Sequence, residues 1–199
     1  MESLISFAQN YHPLIVGVHL FGVVLGFGGA LISDALFLKF LKDLKIEQKE
    51  LSILKTMSKI IWVGLFILVV SGLFLFLSNI ERYSQSSKFL AKMIIVGIII
   101  VNGAVLNFVI TPKLMSINFG ESKGSEDTKL KGIRKLAFAA GAISVTSWWT
   151  AFILGLMHKS PWSFHVLFAI YLFVLASAIL GSQILERLIS SRKLKPPAV

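Results

Sequence analysis

Five long apolar runs constrain this chain more than any other feature. Crossing the ~30 Å hydrocarbon layer of a membrane takes about 20 helical residues at 1.5 Å each. The runs 13–38, 60–80, 93–112, 136–157 and 161–185 all meet that requirement. Open strands would leave backbone groups unsatisfied in lipid, so each run is expected to be a helix. The fold class that follows is an all-α, polytopic membrane protein, a bundle of five transmembrane helices forming one domain. A mean hydropathy of +0.80 and 55% apolar residues agree with lipid as part of the solvent.

The polar connections orient the bundle. Of the 20 Lys and Arg, six lie from Lys39 to Lys59, six from Lys113 to Lys135 and four after Glu186. Five spans put these sixteen on one side and leave Arg82, Lys88, Lys92 and Lys159 on the other. Positive charge marks the cytoplasmic side, so the expected topology is N-terminus out, C-terminus in. The net charge of +10 is therefore read as an orientation signal, and nucleic acid is not an expected partner. The lipid bilayer is. The segment 117–128 (INFGESKGSEDT) reads as a cytoplasmic loop and 190–199 as a disordered tail. Met-Glu-Ser at the start has no basic n-region, and no cleaved signal peptide is read there.

With no cysteine, disulfides and thiolate metal sites are excluded. A phosphate-binding loop, an HExxH pair and a close pair of intramembrane acids are all absent, so metal-hydrolase, ATPase and carboxylate-driven pump chemistry lack their residues.

Helix association in lipid depends on small residues that let backbones approach. Gly22, Gly26, Gly29 and Ser33 share one face of the first span with His19. Ala140, Ser144, Ser147, Ala151 and Gly155 form a similar face on the fourth, and Gly64 and Ser71 are one heptad apart on the second. Trp62, Trp148, Trp149 and Trp162 read as interfacial anchors, with Trp148 and Trp149 deep enough to line an interior.

All four histidines, His12, His19, His158 and His165, fall in the outer half of this topology. From Pro13, His19 is about 9 Å down its helix, and from Pro161, His165 is about 6 Å down its own. Both are expected to point inward and to face each other at similar depth. An imidazole in hydrocarbon needs a partner, and paired imidazoles on facing helices suit the two axial positions of haem iron. His12 and His158 are expected to be interfacial. Lys92 either snorkels to headgroups or pairs with an anion such as a porphyrin propionate. Asp34, about 31 Å from Pro13 along the helix, reads as a partner for a basic loop residue. Asn102 and Asn107, with Ser144, Thr146, Ser147 and Thr150, either bond between helices or line a small polar cavity.

In order, VHLFGVVLGFGGALISDALFLKF, KTMSKIIWVGLFILVVSGLFLFL and KFLAKMIIVGIIIVNG resemble the HemJ-type protoporphyrinogen oxidases, and the CopD-type copper-resistance membrane domains look similar. The resemblance covers the first three spans. It implies haem or porphyrin at His19, with Lys92 as the lysine that starts the third helix and Gly72 as the second-helix glycine. HemJ-type proteins have four helices where this chain has five spans, and Asn102 and Gly103 stand where that family tends to have a histidine.

The expected function is that of a bacterial inner-membrane protein binding haem b, as an electron carrier or a quinone-linked or porphyrin-linked oxidoreductase. Cofactor-binding residues are expected to be His19, His165 and Lys92, with His19 and His165 on the metal. The alternative is a non-enzymatic small transporter or accessory subunit whose glycine faces pack in a homo-oligomer or a larger membrane complex. A third possibility places a divalent metal on His12, His19 and His165, with Glu81 as the one carboxylate nearby. No residue set assigns a reaction or a catalytic group.

Overall fold

Each apolar run lies within one helix. The computed structural model describes residues 2–40, 48–116, 125–157 and 160–193, and all its regular elements are helical. They are α1 (Glu2–Asn10), α2 (His12–Phe40), α3 (Gln48–Ser78), α4 (Ile80–Ser84), α5 (87–116), α6 (Ser125–Leu156) and α7 (Phe164–Lys193). Among them α2, α3, α5, α6 and α7 are long and apolar enough to cross a membrane, as the run lengths predict. The protein is an all-α bundle of the multi-pass type.

Several boundaries differ from the apolar runs. α3 begins at Gln48 and not at 60, because hydropathy measures only the hydrocarbon-length part of a helix. The preceding QKELSILKTMSK is rich in good helix formers and extends the helix beyond it. α6 starts at Ser125, inside the segment expected to be a loop; residues 117–124 lie outside the described residues. Likewise α7 continues to Lys193, into the expected tail, of which 194–199 lie outside the described residues. α7 begins at Phe164 where the run began at Pro161. The N-terminal segment before the first apolar run forms α1, which packs on the end of α3 through Phe7–Phe74 and a Gln9 bond to the Ser78 carbonyl.

Local chemistry explains the helix ends and two widened turns. Pro13 sits in the first turn of α2, where a missing N–H costs nothing. Asn79 caps α4 by accepting from the Arg82 N–H at 3.2 Å. Val24–Gly28 in α2 and Val105–Ile110 in α5 are π-helical. In α5 the cause is adjacent: Pro112 cannot donate to the carbonyl four residues back, and the Thr111 hydroxyl donates to the Leu106 carbonyl at 2.8 Å.

The small-residue faces meet as expected. A Cβ built on Gly22 would lie 3.0 Å from the Leu68 N, one on Gly29 3.1 Å from Ile61, and one on Gly64 would fall on the backbone of Leu25 and Gly26. His19 meets Ser71. In each of these four pairs the residue numbers sum to 90, so α2 and α3 run antiparallel in a single register over four successive contacts. Direct backbone contact at Gly26 and Gly64 sets that register, since no other residue type fits there.

α6 is the centre of the bundle and touches α2, α5 and α7. Its small face is buried at Ala137, Ala140, Ser144, Ser147 and Ala151. Trp148 is buried beside Phe27, whereas Trp149 and Trp162 are largely exposed. Polar bonds cross the interior: the Asn102 amide donates to the Ala140 carbonyl at 3.0 Å, and Ser147 bonds Tyr171 at 2.9 Å. At the basic end Arg134 pairs with the buried Glu186 at 2.5 Å. The outward faces, by contrast, carry Phe66, Phe108, Phe173 and Leu180. Apolar side chains outside and hydrogen-bonded polar ones inside is the arrangement a lipid solvent requires.

Candidate functional site

The register between α2 and α3 also builds the site around His19. Ser71 is one heptad beyond Gly64 on α3, and His19 is one heptad before Gly26 on α2. The glycine contact therefore delivers the Ser71 hydroxyl to the imidazole, at 3.0 Å from Nδ1. Gly72 lies against the ring, and a Cβ there would be 3.5 Å from Cε1 of His19. Gly72, singled out in the sequence by a resemblance alone, is thus the surface on which the ring rests.

The hydrogen bonds assign the tautomer. The Ser71 hydroxyl donates to the Ile67 carbonyl at 2.5 Å, so toward His19 its oxygen is an acceptor. Nδ1 then carries the proton, with the Leu68 carbonyl as a further acceptor for the ring. The neutral ring keeps its lone pair on Nε2. Anchoring one ring nitrogen while leaving the other free is how proteins orient histidines that ligate metals.

Lys92 belongs to the same site. It starts α5 at the end of the bundle that also holds His19, and its ammonium lies within electrostatic reach of the imidazole. The side chain is half-buried and extends to α6, where its Nζ is 3.4 Å from the position a Gly155 Cβ would take. Gly155, on the small-residue face of α6, makes room for it. Among the described residues no carboxylate or hydrogen-bond acceptor pairs with Lys92. Lys88, one turn earlier, donates to the Met157 carbonyl at the end of α6 and adds positive charge beside Lys92. The cluster of His19, Lys92 and Lys88 is cationic and suits an anionic group.

His165 is not part of this cluster. Its side chain is exposed on α7, in contact with the ring of its neighbour Phe164, and α7 packs mainly on α6 and α5. The expectation that His165 faces His19 fails because equal depth does not fix rotation: the buried face of α7 is the one carrying Leu167 and Tyr171. The divalent-metal arrangement of His12, His19 and His165 fails with it, as no three His, Asp or Glu among the described residues are placed to hold a metal ion. His12 is half-buried at the first residue of α2, and His158 lies outside the described residues. The Lys92 side chain crosses to the outer end of α6. Asp34 faces Ser144 on α6, and of the basic loop residues expected to neutralise it Lys42, Lys45 and Lys123 lie outside the described residues.

Ser71 is the site residue that the sequence pattern assigned to packing alone. Its heptad relation to Gly64 was visible, but its partner depends on the α2–α3 register, which emerges only when the helices are paired. Comparison of the chain with family models, curated proteins and solved structures gives no match. The likeness to HemJ-type and CopD-type proteins rests on its three motifs.

Proposed function

We propose that this chain is a multi-pass protein of a bacterial inner membrane that holds a haem or porphyrin at the end of the bundle opposite the basic connections. His19 Nε2 would hold the iron and Lys92 would pair with a propionate. The observation that carries this reading is the convergence of an imidazole whose Nδ1 is anchored on Ser71 with an ammonium that has no anionic partner among the described residues. His165, exposed on α7, is not among the residues that would hold it. A haem held by these residues would supply one-electron chemistry for a porphyrin-linked or quinone-linked reaction. The chain's own contribution is to fix the tautomer of His19, to hold the ring against Gly72 and to place positive charge beside it.

The test is the visible spectrum of protein purified in mild detergent from haem-replete cells. Haem absorption is expected, lost in His19→Ala and unchanged in His165→Ala. Colourless protein, or full haem loading in His19→Ala, would overturn the reading.

A further inference from the structure

A second polar site lies in the other half of the bundle. Between α2, α3, α5 and α6, next to the basic end, is a cavity of about 120 Å³, room enough for several waters. Its polar lining comes from four helices: Ser33 and Asp34 on α2, Ser58 on α3, Asn102, Asn107 and Thr111 on α5, and Ser144 on α6. Trp62 and Trp148 contribute to the apolar remainder.

The chemistry of this lining is one-sided. Among the described residues, Asp34 is its only charged lining residue, and no described lysine, arginine or histidine lines the cavity. The Asn102 amide donates one N–H to the Ala140 carbonyl at 3.0 Å. Asn107 presents its oxygen toward Ser58, accepting from that hydroxyl at 3.4 Å. Ser144 faces Asp34. Asp34 Oδ2 is fully buried and has no hydrogen-bond partner among the described residues. Such an atom is costly in a low-dielectric interior and calls for a counter-charge.

The backbone is adapted to the same place. Asn107 lies in the π-helical stretch Val105–Ile110, where the wider turn re-aims a side chain relative to a regular helix. Single π turns inside α-helices recur at functional sites.

We propose that this cavity binds a small monovalent cation of the alkali-metal class, with Asp34 as the charged ligand and Ser144, Ser58 and Asn107 as neutral oxygen ligands. Hard cations take oxygen donors. One carboxylate balances one charge, whereas a divalent ion is favoured by two or more. The site is separate from His19 and uses none of its residues, so it stands or falls independently of haem binding.

The experiment uses the full chain purified in mild detergent with choline chloride as the only salt. LiCl, NaCl or KCl then replaces choline at constant ionic strength while the Tm is recorded. A ligand that binds only the folded state raises Tm saturably. The expected result is a saturable rise of a few degrees with at least one of the three ions, absent in Asp34→Asn and weakened several-fold in apparent affinity in Asn107→Leu. Should Asp34→Asn not fold, saturable binding of ²²Na⁺ to the wild-type protein, competed by unlabelled alkali ions but not by choline, carries the same test. Choline and all three alkali ions giving one Tm, with no saturable ²²Na⁺ binding, overturns the proposal. So does a response to CaCl₂ alone, or a response that persists unchanged in a folded Asp34→Asn protein.

Discussion

At the scale of single residues, the site depends on what each polar atom does with its hydrogen bonds. Ser71 spends its proton on its own helix, and that choice leaves His19 with Nε2 free. Ser71→Ala removes the acceptor without touching the ring, so haem is expected to remain visible but to be held 10- to 100-fold less tightly, the usual order for loss of a ligand-orienting partner. Haem titration of the apoprotein checks this; equal affinity for wild type and variant would mean the Ser71 contact orients nothing. Lys92→Gln is expected to weaken retention by about 1 kcal/mol or less, since a partly exposed ion pair contributes little. The histidine and the lysine could be chosen from sequence because ionisable residues are conspicuous in apolar runs. Ser71 could not, because a serine on a small-residue face looks the same whether it packs or accepts.

Among the helices, α2 and α3 form the pair whose geometry decides the site, and glycine decides the geometry. Gly64→Ala places a methyl group on the backbone of Leu25 and Gly26, which no rotamer change relieves. Overpacking of a core costs about 1–3 kcal/mol, and contact with backbone falls at the upper end. A clear drop in Tm in detergent is expected. Gly97→Ala is the control, since a Cβ there meets nothing within 4 Å. Equal melting of the two variants would show that the α2–α3 contact does not limit stability. Because the same register carries Ser71 to His19, Gly64→Ala is also expected to reduce haem retention although Gly64 does not touch the ring.

For the molecule as a whole, the distribution of charge and of apolar surface should agree with one insertion. Sixteen of twenty basic residues lie on one side of the five spans. A reporter fused after Val199 is therefore expected to be active in the cytoplasm, and one inserted between Arg82 and Lys88 outside. Both on one side would contradict five crossings. The proposed haem site and the Asp34 cavity then occupy opposite halves of the bundle, the first at the outer end with four basic residues and the second next to the end with sixteen.

Helix number, the membrane environment and the small-residue faces were all legible in the chain itself, because the length of an apolar run and the spacing of glycines are properties of a single helix in lipid. The orientation expected from its charges has the same origin. Rotation and pairing of helices are properties of two chain segments at once. Sequence therefore assigned His165 and His19 similar expected depths but could not tell that the buried face of α7 is the one with Leu167 and Tyr171, and placed Asp34 near the basic end but could not tell that α2 turns it toward Ser144. Those facts were decided by backbone contact at Gly26 and Gly64, by the bond between Ser147 and Tyr171, and by the π turns that re-aim α2 and α5. Each of these sets which face of a helix is buried, and burial alone determines which polar groups meet.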